Sequence, residues 1–400
     1  MMQILDNEKE QKIIPIFRLA FRPFFLSAAL FSAVAMVVWA MFWSGSSHVT
    51  GLMYGQPIWW HAHEMMIGFT GAIIIGFLLT AVQTWTGVPG IRSTKLAIVF
   101  TLWLIARIGL LFGQPSYIWM FIDLSWIPLA AYFLLKPILL RRQWNNLFFA
   151  PLLLLLTALN VQLHLIAMGL VENSLRQTSF VALVVIAIIV LVVGGRVIPF
   201  FTWRGTQTEQ ITRVKWIEYA ALIPVWLLLI ATFLPLPSNY NWIVANLLMV
   251  TAVTNMIRFV RWRTLSTLKV PLLWSLHLAY LCMILGLFAI GLSMVSHVVS
   301  YSIALHLMTV GGIGGMILSM MARVSLGHTG RSLQVGYWVQ IAFVCLLLST
   351  LIRSVLIWVY PSLTINGYVF SAILWAIAFS IFTIVYYPIL TKPRVDGRPG

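Results

Sequence analysis

The amino-acid sequence predicts an all-α polytopic membrane protein of about twelve transmembrane helices, and three observations carry that prediction. Of the 400 residues, 61% are hydrophobic and only 8% are charged, against about a quarter charged in soluble domains. Apolar runs of about twenty residues recur along the chain, each long enough to cross a hydrocarbon core of roughly 30 Å. The Lys and Arg residues also collect on one side of the alternating connections between those runs.

The predicted spans cover about 20–43, 60–85, 94–113, 117–136, 147–170, 177–200, 216–234, 242–262, 271–295, 301–324, 335–358 and 367–390. Residues 1–16, with Asp6, Glu8, Lys9, Glu10 and Lys12, lack the pattern of a cleaved leader. The first span is therefore expected to act as its own insertion signal. Lys9, Lys12, Arg18 and Arg22 lead into that span. Arg92 and Lys95 then link spans 2 and 3, and Lys136, Arg141 and Arg142 link spans 4 and 5. Arg196, Arg204, Arg213 and Lys215 link spans 6 and 7, and Arg258, Arg261, Arg263 and Lys269 link spans 8 and 9. Arg323 and Arg331 follow span 10, while Lys392, Arg394 and Arg398 follow span 12. Of 25 basic residues, only Arg107, Arg176 and Arg353 break the pattern.

By the positive-inside rule both termini are cytoplasmic. The net charge of +16 thus reports topology and leaves no nucleic-acid footprint. The outer connections carry aromatics and prolines instead, as in Trp59–Trp60 and "FLPLPSNYNW", which suits an interfacial belt. Cys282 and Cys345 fall inside spans, so no disulfide framework is expected. All connections are short. The chain is expected to be a single transmembrane domain, 1–400, with a cytoplasmic segment at 1–16 and a cytoplasmic tail at 391–400. No Walker motif or phosphate-cradling loop is present. The glycines of "GGIGGM" (Gly311, Gly312, Gly314 and Gly315) lie mid-span, where they serve close helix packing or leave room for a flat ligand.

Spans 2 and 10 share landmarks. His63 is followed by Gly68, Gly71 and Thr86–Gly87, and His306 by Gly311, Gly314 and Thr329–Gly330, each pair offset by 243 residues. Such similarity marks duplicated helix units with a site between them, or chance matching among Gly-rich apolar helices. A repeat would make spans 2, 6 and 10 the starts of equivalent thirds, of which span 6 ("VVGGRVIPFFT") has no histidine.

Topology converts sequence position into depth. His61, His63, His164 and His306 come from three helices near the outer face, with Glu64 among them. His48 and His297 sit in outer connections, and His277 and His328 lie on the inner side. Intramembrane ionisable groups are usually functional, although hydrogen bonding to carbonyls or a polar transport path would also use them. Successive helical residues turn by about 100°, so His61 and His63 point apart while His61 and Glu64 share a face. His63 is thus expected to face His306 across a haem, since paired histidines hold haem inside helical bundles. His61, Glu64 and His164 are expected to form a separate polar or copper site. Arg107 and Asp123, on neighbouring spans, are expected to neutralise one another. Arg196 and Arg323 are either positive-inside anchors or partners for haem propionates. Met65 and Met66 abut the cluster, and thioethers suit Cu(I), but methionines in apolar helices mostly pack.

Five motifs together resemble the NnrS family: "FRPFF" (21–25), "WHAHEM" (60–65), "GGRVIPFFT" (194–202), "LHLAY" (276–280) and "HLMTVGGIGGMILSMMARVSLGHTGR" (306–331). They run from the first span to the tenth, and "WHAHEM" and "ARVSLGHTGR" are the most specific. The resemblance implies a multi-pass protein of the bacterial inner membrane that contains haem and copper, and the haem is expected to be of b type. It also implies a link to nitric oxide metabolism and resistance to nitrosative stress, with nitric oxide as small-molecule ligand. From depth and helical geometry, rather than from the resemblance, the expected cofactor-binding residues are His63, His306, Arg196, Arg323, His277 and His328, and the expected metal ligands are His61, Glu64 and His164. By fold-level analogy, twelve helices also invite comparison with the three four-helix units of the haem-copper oxidase core, where helices 2 and 10 carry a haem. This sequence lacks the copper-centre histidines of spans 6 and 7, which argues against proton-pumping oxidase activity. A secondary transporter of a metal or organic anion, and a non-catalytic sensor or assembly factor for a respiratory enzyme, fit the same composition. No docking site for an electron donor is legible.

Overall fold

The computed structural model describes residues 11–49, 51–234 and 241–398. Residues 1–10 of the N-terminal segment, Lys9 among them, and most of the "FLPLPSNYNW" connection lie outside the described residues. The described chain is all-helical, with twelve long helices and no sheet. In chain order these are α1 (Phe21–Trp43), α2 (Pro57–Thr86), α3 (Ser93–Phe112), α4 (Tyr117–Leu140), α5 (Phe149–Ala167), α6 (Leu175–Thr206), α7 (Lys215–Ala231), α8 (Asn241–Val260), α9 (Pro271–Val295), α10 (Tyr301–His328), α11 (Tyr337–Val359) and α12 (Thr364–Thr391). Among the described residues, eleven helices are long and apolar enough to cross a membrane. The exception is α7, whose 17 residues include Glu218 in the first turn.

Local chemistry sets the helix ends. Pro57 and Pro271 open α2 and α9, where the missing N–H has no partner to lose. Ser300 caps α10 by accepting the Ile303 N–H. Gly87 ends α2 in the left-handed region at φ 67°, a conformation that glycine adopts without cost.

Three helices contain a π-helical stretch: Glu64–Gly71 in α2, Leu307–Gly314 in α10 and Leu351–Leu356 in α11. The first two follow a histidine and keep the 243-residue offset of the sequence repeat at both ends. Their glycines are packed alike. A Cβ on Gly71 would meet Trp126 and one on Gly314 would meet Trp375, while Gly68 faces Arg107 and Gly311 faces Thr350 and Cys282. Gly312 and Gly315 lie against Met283 and Ala279 of α9, so close packing accounts for these two. The expected third copy is α-helical throughout.

The chain divides into two compact units. The first comprises Met1–Leu183, Val324–Leu333 and Phe379–Gly400. Within it α2 packs on α1 and α4, and α4 also on α3 and α5. Arg22, fully buried, donates through Nη1 to the carbonyls of Leu390 (2.9 Å) and Lys392 (2.8 Å), beyond or at the end of α12. Nearby, Arg394 donates to the His328 carbonyl at 2.9 Å and grips Asp396 through two nitrogens at 2.9 and 2.6 Å. Those bonds hold the Asp396 carboxyl well below the usual carboxylate range. The second unit comprises Val184–Arg323 and Gln334–Ala378. There α8 packs on α7 and α9, and the π-stretch of α10 packs on α9 and α11.

Candidate functional site

The first unit buries a set of polar side chains that no isolated helix explains. Arg107 of α3 is only 2% exposed and bridges two carboxylates. Its Nη1 donates to Glu64 Oε1 at 2.6 Å, and its Nη2 donates to Asp123 Oδ1. Arg107 and Asp123 do neutralise one another, as their positions on α3 and α4 led us to expect. Glu64 is the second partner. Burying such charges is tolerable only because they are paired and hydrogen-bonded.

The histidines complete the cluster. His63 Nδ1 lies 2.9 Å from Glu64 Oε1, and its Nε2 lies 2.7 Å from Asn160 Oδ1 and 3.2 Å from Asp123 Oδ2. His164 Nε2 lies 3.2 Å from the same Asp123 oxygen. The other ring nitrogen of His164 lies 3.1 Å from the Tyr54 hydroxyl, which accepts from the Ser116 N–H. Asn160 Nδ2 donates to Asp123 Oδ2 at 2.7 Å, which fixes the orientation of that amide. Trp59 stacks on the His63 ring at 4.6 Å and donates to the Leu163 carbonyl. Its indole thereby seals the cluster from above while losing no hydrogen bond.

Two features define what this arrangement can hold. Every atom facing the His63 ring nitrogens is an acceptor, so one nitrogen lacks a complementary neighbour unless a cation sits there. Arg107 also supplies one positive charge against the two negative charges of Glu64 and Asp123. With neutral histidines the buried cluster is one unit negative. A proton on His63 or a metal ion corrects both defects. Ligand atoms of His63, Asp123 and His164 all lie within 4.8 Å of one another, and all three residues are buried. Two imidazoles and a carboxylate are a donor set for copper, zinc or iron. The 3.2 Å separations suit donors around an ion bound at about 2.0–2.1 Å. Glu64 Oε2 is buried without a partner beside them. The residues fit a metal.

The expected site residues fall in several places. His63, Glu64 and His164 come together, which merges the two sites anticipated from helical phase. The merger runs through Glu64, which meets the His63 ring beside it, and through Asp123 of α4, whose Oδ2 faces both His63 and His164. His61 lies outside the cluster, its ring stacked on Trp39 at 4.2 Å. His306 belongs to the second unit, with Nδ1 2.8 Å from the Ser302 carbonyl and Nε2 3.5 Å from Arg353 Nη2. Both nitrogens of His277 are engaged, by Thr202 and Thr264. His328 lies against Phe21, Arg323 sits 4.0 Å over the Phe201 ring, and the Arg196 carbonyl accepts from Arg213. Sequence reasoning treated Asp123 only as a counter-ion, and it passed over Asn160 and Tyr54. The spacing of Asn160 and His164 at i and i+4 was the available signal, because it puts both on one face of α5.

The fold and this buried His/Asp/His group define a polytopic helical membrane protein with a candidate metal centre inside its first unit. The family model described as NnrS protein matches residues 15–394, and the chain belongs to the NnrS family. A comparison with curated proteins gives no match.

Proposed function

We propose that this chain is a copper-binding membrane protein of the nitric oxide response, with His63, His164 and Asp123 as the metal ligands. The observation that carries the proposal is the buried set of two imidazoles and two carboxylates facing a single arginine, in which one Cu(I) ion balances the charge when the histidines are neutral. Asn160, Tyr54 and Glu64 would orient the ligands, as hydrogen-bonded outer partners do in metal sites. Bound copper supplies a one-electron couple and an affinity for nitric oxide; the protein's own residues supply a dry setting and a fixed geometry. The inner membrane and the nitric oxide link come from the resemblance and family membership. Metal analysis of the purified protein tests the reading. One copper per chain is expected, lost in His164→Ala, and a wild-type chain that binds no copper refutes it.

Haem binding is the second reading, with His63, His306, Arg196, Arg323, His277 and His328 as its candidate residues from the sequence. The matched π-stretches behind His63 and His306 favour it, because such stretches recur at functional sites. It requires His63 and His306 to release Asn160 and Arg353. A b-type Soret band that falls in His306→Ala supports it, and a colourless preparation that retains copper excludes it.

A further inference from the structure

The second unit carries a buried arginine in a place comparable to that of Arg107, on the helix that follows a histidine and its π-stretch. Arg353 lies within the third π-stretch, in α11, and is 7% exposed. Its Nη2 donates to Ser302 Oγ at 2.8 Å and points at His306 Nε2 at 3.5 Å. Its guanidinium carbon lies 4.2 Å over the Tyr368 ring. Its Nη1 is buried and has no hydrogen-bond partner, and neither has the next hydroxyl, Ser354 Oγ.

The contrast with Arg107 lies in the counter-charge. Arg107 has two carboxylates. The second unit contains only two, Glu209 and Glu218. Glu209 pairs with Arg263 at 3.3 Å and Glu218 with Arg258 at 3.2 Å. Neither is left for Arg353. A guanidinium cannot shed its proton in a protein, and an aromatic face offsets a buried charge only in part. A buried cation without a counter-charge is strongly unfavourable.

We infer that Arg353, with Ser302 and His306, forms a binding site for a small monovalent anion of halide or nitrite size. Arg353 Nη1 is the donor left for it, and Tyr368 closes one face of the guanidinium. Ser302 and His306, one turn apart on α10 and half-buried, are the polar rim through which the anion enters. The two helix pairs thus carry opposite polarity, cation-seeking in the first unit and anion-seeking in the second. The inference rests on the second unit alone and is independent of copper at His63.

Thermal unfolding of the purified full-length protein, titrated with sodium chloride, bromide or nitrite against sodium gluconate at constant ionic strength, tests it. A saturable rise in the unfolding midpoint is expected with at least one of the three. Ser302→Ala is expected to weaken the apparent affinity about tenfold, and Arg353→Gln to abolish the rise. In crystals grown with bromide, an anomalous peak is expected beside Arg353 Nη1. No saturable response in wild type overturns the proposal, as does a response unchanged in both variants. A response present in haem-free protein and absent once haem is loaded assigns the site to a haem propionate and overturns the free-anion assignment.

Discussion

Replacing Asp123 by Asn keeps the shape of the side chain and removes one negative charge from the centre of the first unit. Asp123 accepts from Arg107 through Oδ1 and from Asn160 through Oδ2, and Oδ2 also lies 3.2 Å from both His63 and His164. An amide offers one acceptor oxygen, so the Arg107 bond survives in neutral form and the Asn160 bond is lost. A hydrogen bond to a charged group contributes about 1.5–3 kcal/mol, so the metal-free protein should lose about that much stability. The cluster itself becomes neutral, with Arg107 balanced by Glu64. That removes the charge that attracts the metal and one of its three ligands. Changing an outer partner alone costs about 10–100-fold in metal affinity, so the loss of a ligand should exceed that range. Competition for Cu(I) against a chromophoric chelator measures the affinity, and urea unfolding in mild detergent measures the stability. An Asp123→Asn protein that binds Cu(I) within about threefold of wild type would refute the charge argument, whatever its stability.

Gly68→Ala should destabilise the protein by about 1–3 kcal/mol, as overpacking does. Its Cβ would run into Arg107 Nη1 and lie 2.7 Å from Glu64 Oε2; helicity and unfolding of the variant check this. Copper affinity should fall in acid, because protons compete with the ion for the ring nitrogens of His63 and His164, measured by the same chelator competition at several pH values. The Arg394–Asp396 pair acts through a depressed carboxyl pKa. Its contribution is present above the unfolded value of about 3.9 and is lost as pH falls through the lower folded value. Limited proteolysis of the tail should therefore be unchanged from pH 5 to 8 and should rise only in stronger acid, while Asp396→Asn should show the increase at neutral pH.

Much of this architecture was legible in the sequence because membranes impose coarse rules. Apolar length predicted the spans, and the alternation of basic connections predicted which helix ends share a side. The Arg107–Asp123 pair followed from two charges on adjacent spans. The site was less legible for a physical reason. Phase arguments for His61, His63 and Glu64 assume 3.6 residues per turn, and α2 abandons that period at Glu64. Nothing in "EMMIGFTG" announces a π-helix by composition. Only the copy at 307–314, with the same histidine before it and the same glycine spacing, hinted that the stretch is special. Asn160 and Tyr54 escaped because single polar residues near apolar runs usually bond their own backbone.

The bond between Arg22 and the end of α12 bears on how the chain is made. The Leu390 carbonyl is synthesised 368 residues after the guanidinium that binds it. At about 5–20 residues per second, the ribosome takes roughly 20–70 seconds to cover that distance. The first helix therefore sits in the bilayer for most of translation before this contact can form. Premature termination before residue 390 leaves an opening helix that never meets its closing partner, and gives a quality-control protease a reason to recognise the truncated chain.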